Sequence, residues 1–278
     1  MNNTQRKILF SDLDGTLLTD QKEIEKGTRE AVEELLAQGH VFALCTGRPL
    51  ASARKVAKQF GLEKKGCFVI AYNGGVLYDP GQDQIVYYAS IPLPLVHRMF
   101  AEAELAGLYV QTYDRADHVL TNQQTEELDA YLAHTKLQQR TGKEVLADLA
   151  DPPAKMIVIS HDSHEKLCAF QEKNAAWAGQ AMNSFFSCEQ YLEYCPAGSS
   201  KATGVQRLCA YLGIPVSNSV AAGDERNDLA MLQAAGIAAV PAKAHPAVRA
   251  AADYLCRNDH NTGAVGEIIR KFILADQE

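Results

Sequence analysis

The sequence predicts an α/β protein: a doubly wound, mostly parallel sheet interrupted by an inserted α+β domain. Two observations carry that expectation. At both ends of the chain, short apolar runs alternate with amphipathic helical stretches, the order that builds a parallel sheet. Between them the rhythm changes to hairpin-linked strands mixed with helices, which suits a small separate domain.

The first apolar run, residues 8–10, is too short to classify alone. Ala31, Val32, Leu35 and Leu36 then form a helical stripe, with Gly39 placed as a C-cap. Residues 41–45 read as a buried strand followed by Thr46-Gly47-Arg48-Pro49, a helical segment runs to about Phe60, and residues 68–71 read as the next strand. Strands at 76–78 and 85–88 flank the turn signal Asp79-Pro80-Gly81-Gln82. Paired strands are expected at 108–113 and 118–121, then a strand at 156–160 and a helix at 164–177. After Tyr191 the α/β rhythm returns: a helix at 201–212, a strand at 220–222, a helix at 229–235, a strand at 237–240 and an amphipathic helix at 265–274. The expected organisation is a core from residues 1–83 and 189–278, with the inserted domain at 84–188.

Composition narrows the function. The 278 residues are 47% hydrophobic and 22% charged, an ordinary globular balance with ample length for a core. A net charge of −7 gives a nucleic-acid partner no global support, so an anionic substrate needs local cations or a metal. The seven cysteines form no CxxC pair, their odd number forbids complete pairing, and Cys45 and Cys67 sit in apolar runs as buried thiols do. A reducing cytoplasm is the simplest compartment. Residues 1–15 hold no apolar stretch suited to a signal peptide, and no run approaches the roughly 18 apolar residues of a membrane span. The expected partner is a small molecule, with neither nucleic acid nor membrane; oligomeric state is left open.

Four segments carry chemistry. Asp12-Leu13-Asp14-Gly15-Thr16-Leu17 follows the first apolar run, placing two carboxylates and a glycine turn at the sheet edge where open α/β sheets bind ligands. Carboxylates beside a phosphate repel it unless a divalent cation intervenes, and hard oxygen ligands suit Mg²⁺. Alone, the segment also reads as a polar turn. Thr46-Gly47-Arg48 offers a hydroxyl and a glycine N–H to a phosphate, with Arg48 reaching the substrate, solvent or a neighbouring carboxylate, or is a plain loop. Lys201 opens a helix, where a cation opposes the dipole; it neutralises a phosphate, or is a solvated lysine. Gly223-Asp224-Glu225-Arg226-Asn227-Asp228 follows another strand, and helix capping explains one of its acids but not three polar groups after Gly-Asp.

In order and in kind, these segments resemble the motifs of the haloacid dehalogenase superfamily of phosphatases: Asp-x-Asp-Gly-Thr-Leu, Thr-Gly-Arg, Lys and Gly-Asp-x-x-Asn-Asp. Residues 231–236 are also typical, and the insertion between Thr-Gly-Arg and Lys looks like the Cof-like branch with a C2B-type cap, as does Asn73-Gly74-Gly75. Two departures stand out: Val240-Pro241-Ala242-Lys243-Ala244 replaces a Met-Gly-Asn-Ala-like stretch, and Ala-Thr-Gly follows Lys201.

The resemblance implies a Mg²⁺-dependent phosphatase. Asp12 would attack phosphorus and form an aspartyl-phosphate, while Asp14 acts as general acid and then base. Asp12, the backbone carbonyl of Asp14, and Asp224 would hold the metal. Lys201, Asn227, Thr46, Gly47 and the backbone N–H of Leu13 would hold the phosphoryl oxygens, and Asp228 would orient Lys201 or a metal-bound water. Small phosphorylated metabolites are the expected substrates, sugar phosphates first and pyridoxal phosphate or nucleotides behind. A phosphomutase shares these motifs and is separated by product analysis in labelled water. A non-catalytic phosphate-binding module is separated by hydrolysis of p-nitrophenyl phosphate.

Overall fold

The computed structural model describes residues 6–275; residues 1–5, part of the stretch read for a signal peptide, and residues 276–278 lie outside the described part. The chain forms two compact units, Met1–Tyr87 with Ser200–Glu278, and Tyr88–Ser199.

The first unit is built on β1 (Ile8–Ser11), α1 (Lys26–Ala37), β2 (Val41–Cys45), α2 (Leu50–Gln59), β3 (Cys67–Ala71), β4 (Val76–Asp79) and β5 (Gln84–Tyr88). The second contains α3 (Leu93–Leu105), β6 (Tyr109–Tyr113), β7 (Val119–Thr121), α4 (Glu126–Thr135), β8 (Gln139–Thr141), β9 (Met156–Ile159), α5 (His164–Ala178), β10 (Met182–Cys188) and β11 (Tyr191–Pro196). The chain then completes the first unit with α6 (Lys201–Leu212), β12 (Ser219–Ala222), α7 (Leu229–Ala234), β13 (Ile237–Val240), α8 (Pro246–Ala250), β14 (Tyr254–Leu255) and α9 (Ala264–Phe272).

Among the described residues the core sheet runs β14-β13-β12-β1-β2-β3-β4-β5. Pairing is parallel from β14 to β3, and β4 turns back antiparallel against β3. Every residue of β1, β2, β3 and β12 is buried, as strands covered on both faces must be. Helix starts are satisfied locally. Glu25 accepts from Gly27 N (2.9 Å) and Thr28 N (2.8 Å) ahead of α1. Ser200 and Thr203 form a capping box on α6, which Gly213 ends in the left-handed conformation.

The second unit is an α+β layer with sheet order β10-β11-β9-β6-β7-β8, antiparallel except between β7 and β8. Val96, Phe100, Val158, Phe170 and Leu192 are part of its own core. One element sits differently from the sequence reading. The sequence places residues 189–199 in the returning core, whereas β11 pairs antiparallel with β10 and β9, and the chain passes back to the first unit at Ser199–Ser200. The β10–β11 hairpin turns at Glu189-Gln190, with no glycine or proline to mark it in the sequence.

Candidate active site

The site grows out of strand register. β1 lies between β12 and β2, and Asp12 N donates to Ala222 O (2.9 Å), carrying the β1–β12 ladder one residue further. Asp12 and the Gly223–Asp224 turn therefore leave neighbouring strands at the same edge, and Thr46 leaves β2 beside them.

Lys201, the first residue of α6, is only 2% exposed and ties this edge together. Its Nζ lies 2.6 Å from Asp12 Oδ1 and 2.5 Å from Asp228 Oδ1. The other oxygen of Asp228 accepts from Asp224 N (3.0 Å) and Glu225 N (3.1 Å), so one carboxylate fixes both the lysine and the loop. That approach requires Gly223, since a Cβ there would collide with the Asp228 side chain. Thr16 donates to Asp224 Oδ1 (2.5 Å). Gly15 has φ +81°, and a Cβ on it would strike the Asp224 carboxylate. From the other side His245 N donates to Asp224 O (2.8 Å), so the departure at residues 240–244 leads into a direct brace of the acidic loop.

Carboxylate oxygens of Asp12, Asp224 and Asp228 lie within 4.8 Å of one another, and these three residues could hold a metal ion. One lysine does not neutralise three acids. Burial, foremost, pushes the Asp12 carboxyl up to about 7; Asp228 and Asp224 add to this, and Lys201 opposes it. Asp224 is pushed up to about 6, again by burial first, against the Thr16 hydrogen bond and with Asp228 and Glu225 adding. Burial disfavours the Lys201 charge, but Asp12 and Asp228 more than offset this and hold its pKa well above the ordinary range. Among the described residues no hydrogen bond engages Asp12 Oδ2 or Asp224 Oδ2.

Asp14 is placed differently. Its side chain is part-exposed and clamped: Arg48 Nε meets Oδ2 (2.9 Å), Arg48 Nη2 meets Oδ1 (2.7 Å) and Lys22 Nζ meets Oδ1 (2.9 Å). Burial alone would raise this carboxyl, but the Arg48 charge and the hydrogen bonds from Lys22 and Arg48 hold it below the usual carboxylate range. Any metal role of Asp14 in this arrangement falls to its backbone carbonyl.

The remaining candidates frame the cluster. Thr46 is buried; its Oγ1 accepts from Arg48 N (3.2 Å) and its carbonyl from Asn73 N (3.0 Å). Gly47 packs against the Asn73 side chain. The Leu13 side chain is fully buried and its carbonyl accepts from Leu17 N (3.2 Å) and Leu18 N (2.8 Å), which leaves the backbone N–H as its polar offering. Asn227 lies exposed in the turn Arg226–Asp228, outside the hydrogen bonds that join Asp12, Lys201 and Asp228. Lys22 went unread in the sequence. It reaches Asp14 because the chain doubles back through bridges Asp14–Leu18 and Leu18–Ile24, with Lys22 at φ +61°, and no spacing rule signals that return.

A parallel sheet with this acid–lysine cluster at its carboxyl edge defines a class, the hydrolases that work on phosphate esters. The family model described as haloacid dehalogenase-like hydrolase matches residues 9–269, and the chain belongs to that family, in its Cof-like branch of phosphatases. It is similar to the 5-amino-6-(5-phospho-D-ribitylamino)uracil phosphatase YitU of Bacillus subtilis, 29% identical over 246 residues covering 84% of this chain and 85% of that protein. Among solved structures it is similar to a haloacid dehalogenase-like hydrolase from Bacteroides thetaiotaomicron, with TM-score 0.86, 27% identity, and coverage of 95% of this chain and 98% of that one. Its fold also matches that of a haloacid dehalogenase subclass IIB sugar phosphatase, with TM-score 0.77, 20% identity, and coverage of 96% and 98%. No described helix is long and apolar enough to cross a membrane.

Proposed function

We propose that this phosphatase is Mg²⁺-dependent, works through an aspartyl-phosphate on Asp12 and acts on small phosphorylated metabolites, sugar phosphates first. The observation that carries the reading is the buried Lys201 between Asp12 and Asp228, with Asp224 within the same 4.8 Å cluster. A structural ion pair needs one acid per lysine; this cluster has a surplus of negative charge, and the surplus suits a cation.

The donor set fits Mg²⁺. All donors are oxygen, and Asp12 and Asp224 each keep one carboxylate oxygen outside the hydrogen bonds. Asp228 is committed to Lys201 and to two loop N–H groups, so Asp12, Asp224 and the Asp14 carbonyl are the expected holders of the ion. Bound there, Mg²⁺ supplies charge neutralisation for the phosphoryl group.

The chain's own groups do the rest. An oxygen of Asp12 bonds to phosphorus as the bond to the leaving oxygen breaks, and Lys201 holds the phosphoryl charge. Thr46, Gly47, Asn227 and the Leu13 N–H complete the oxygen contacts. Asp14 delivers a proton to the leaving group, then takes one from the water that hydrolyses the intermediate. Its clamp by Arg48 and Lys22 favours the ionised form, ready for the second step; the first requires Asp14 to shed part of that clamp.

The core groups recognise only the phosphoryl group, so we assign substrate choice to the inserted unit, Tyr88–Ser199. The relatives favour a small phosphorylated substrate: a ribityl phosphate in one case, a sugar phosphate in another.

The test is a panel of phosphorylated metabolites, with p-nitrophenyl phosphate as reference, assayed with Mg²⁺ and after chelation. Chelator is expected to stop hydrolysis and Mg²⁺ to restore it, whereas Ca²⁺ with its looser shell inhibits. Full activity in chelator would overturn the metal assignment, and a preference for nucleotides over sugar phosphates would overturn the placing of sugar phosphates first.

A further inference from the structure

Two of the seven cysteines are exposed, Cys168 and Cys188, and their surroundings differ. Cys168 stands one helical turn after His164 on α5, and its Sγ lies 3.4 Å from His164 Nε2. The opposite ring nitrogen, Nδ1, lies 2.7 Å from Glu189 O. A carbonyl oxygen only accepts, so Nδ1 carries the hydrogen. In the neutral imidazole this leaves Nε2 as the acceptor, aimed at the thiol. The Phe186 ring lies against the imidazole, with centroids 4.6 Å apart, and restricts its rotation. A thiol, a base and a group that orients the base thus stand in line on the surface of the second unit. None of them belongs to the phosphate site.

Cys188 is the internal control. Its thiol pKa is raised, by burial first and despite the N–H groups of Gln190 and Tyr191, with Glu193 and Glu189 adding. The other five cysteines are buried.

We propose that Cys168 and His164 form a reactive-thiol site that exchanges with small disulfides. The thiol proton passes to His164 Nε2, and Cys168 Sγ bonds to one sulfur of the disulfide as the S–S bond breaks. The departing thiolate takes the electron pair and then the proton from His164. Cys168 is oxidised to a mixed disulfide while one sulfur of the reagent is reduced, so atoms and electrons balance. A cellular disulfide of low molecular weight is the class of reactant the site would take, and a free thiol reverses the step.

The experiment uses the full chain and 4,4′-dithiodipyridine, an uncharged disulfide, at neutral pH, with peptide mapping to assign each modified cysteine. In the unaltered protein Cys168 is expected to react measurably faster than Cys188, because only Cys168 has a histidine acceptor against its thiol. His164→Phe keeps a ring against Phe186 but removes the acceptor; it is expected to abolish the fast phase while far-UV circular dichroism stays unchanged. Cys188→Ser should leave the fast phase in place. Equal rates at the two cysteines in the unaltered protein would overturn the proposal, whatever the variants do. So would a folded His164→Phe protein that keeps the fast phase at Cys168.

Discussion

Each compact unit of this protein buries a lysine, and the two lysines keep different company. In the first unit Lys201 is 2% exposed and bridges Asp12 and Asp228, with Asp224 close behind. In the second, Lys155 is 3% exposed, lies 3.2 Å from Glu193, and sits 6.0 Å from the centre of the Tyr113 ring. Burial disfavours both lysine charges, and in both the neighbouring acids win, so the pKa values are raised. The acids differ. Lys155 is paired with Glu193. At Lys201 the acids outnumber the lysine; burial is the main cause that raises the carboxyl pKa values of Asp12 and Asp224, and the neighbouring acids add to it. A balanced buried pair is part of the packing, while a surplus of one sign is a site that awaits a ligand of the other.

The largest effect that would sharpen this contrast is at the nucleophile. Asp12→Asn is close to isosteric, so it should leave the fold intact and reduce turnover to background; folded protein with substantial activity would break the functional half of the comparison. Next comes Asp14→Asn, which keeps the backbone carbonyl but loses proton transfer, commonly worth about 10²–10⁴-fold in rate. The loss should be smaller in the first step when the leaving group is good, as transient kinetics with p-nitrophenyl phosphate and an alkyl phosphate would show.

The structural half is tested in the second unit. Lys155→Met removes the lysine partner of the buried Glu193 carboxylate and should cost about 3–5 kcal/mol of stability, whereas Lys155→Met combined with Glu193→Leu should recover most of it. Urea unfolding followed by circular dichroism measures both, and equal losses for the single and double variants would contradict a balanced pair.

The smallest expected effect is a shift in pH dependence. Arg48 helps to hold Asp14 below the usual carboxylate range, so Asp14 stays ionised to lower pH than a free carboxylate. Arg48→Met removes that help, the carboxyl rises, and the acid limb of intermediate hydrolysis should move to higher pH. A limb that stays put would separate Arg48 from the Asp14 proton.

How far the sequence revealed all this follows from where the signals lie. Strands covered on both faces leave continuous apolar runs, and residues 41–45 and 68–71 were readable for that reason. The Asp12, Thr46, Lys201 and Asp224 segments were readable because each abuts such a run or opens a helix. The β10–β11 hairpin was not, because its turn lacks glycine and proline, and its strands carry Asn183, Ser184 and Glu193 among apolar residues. Lys22 was invisible because only the fold-back of residues 14–24 brings it to Asp14. The Arg48 half of the Asp14 clamp comes from the loop after the neighbouring strand β2; in the sequence Arg48 reads as a substrate contact, a solvated residue or the partner of a neighbouring carboxylate, and the structure gives the last.

The central claim is that Asp12 carries the phosphoryl group, and the most direct measurement traps it there. Asp14→Asn protein, slowed in hydrolysing the intermediate, is mixed with Mg²⁺ and p-nitrophenyl phosphate, quenched in acid and mapped by mass spectrometry. The account predicts a stoichiometric burst of nitrophenol and an acid-stable, base-labile phosphoryl group on the peptide holding Asp12. A burst with the phosphoryl group on another residue, or continued slow turnover with Asp12 never labelled, would contradict it.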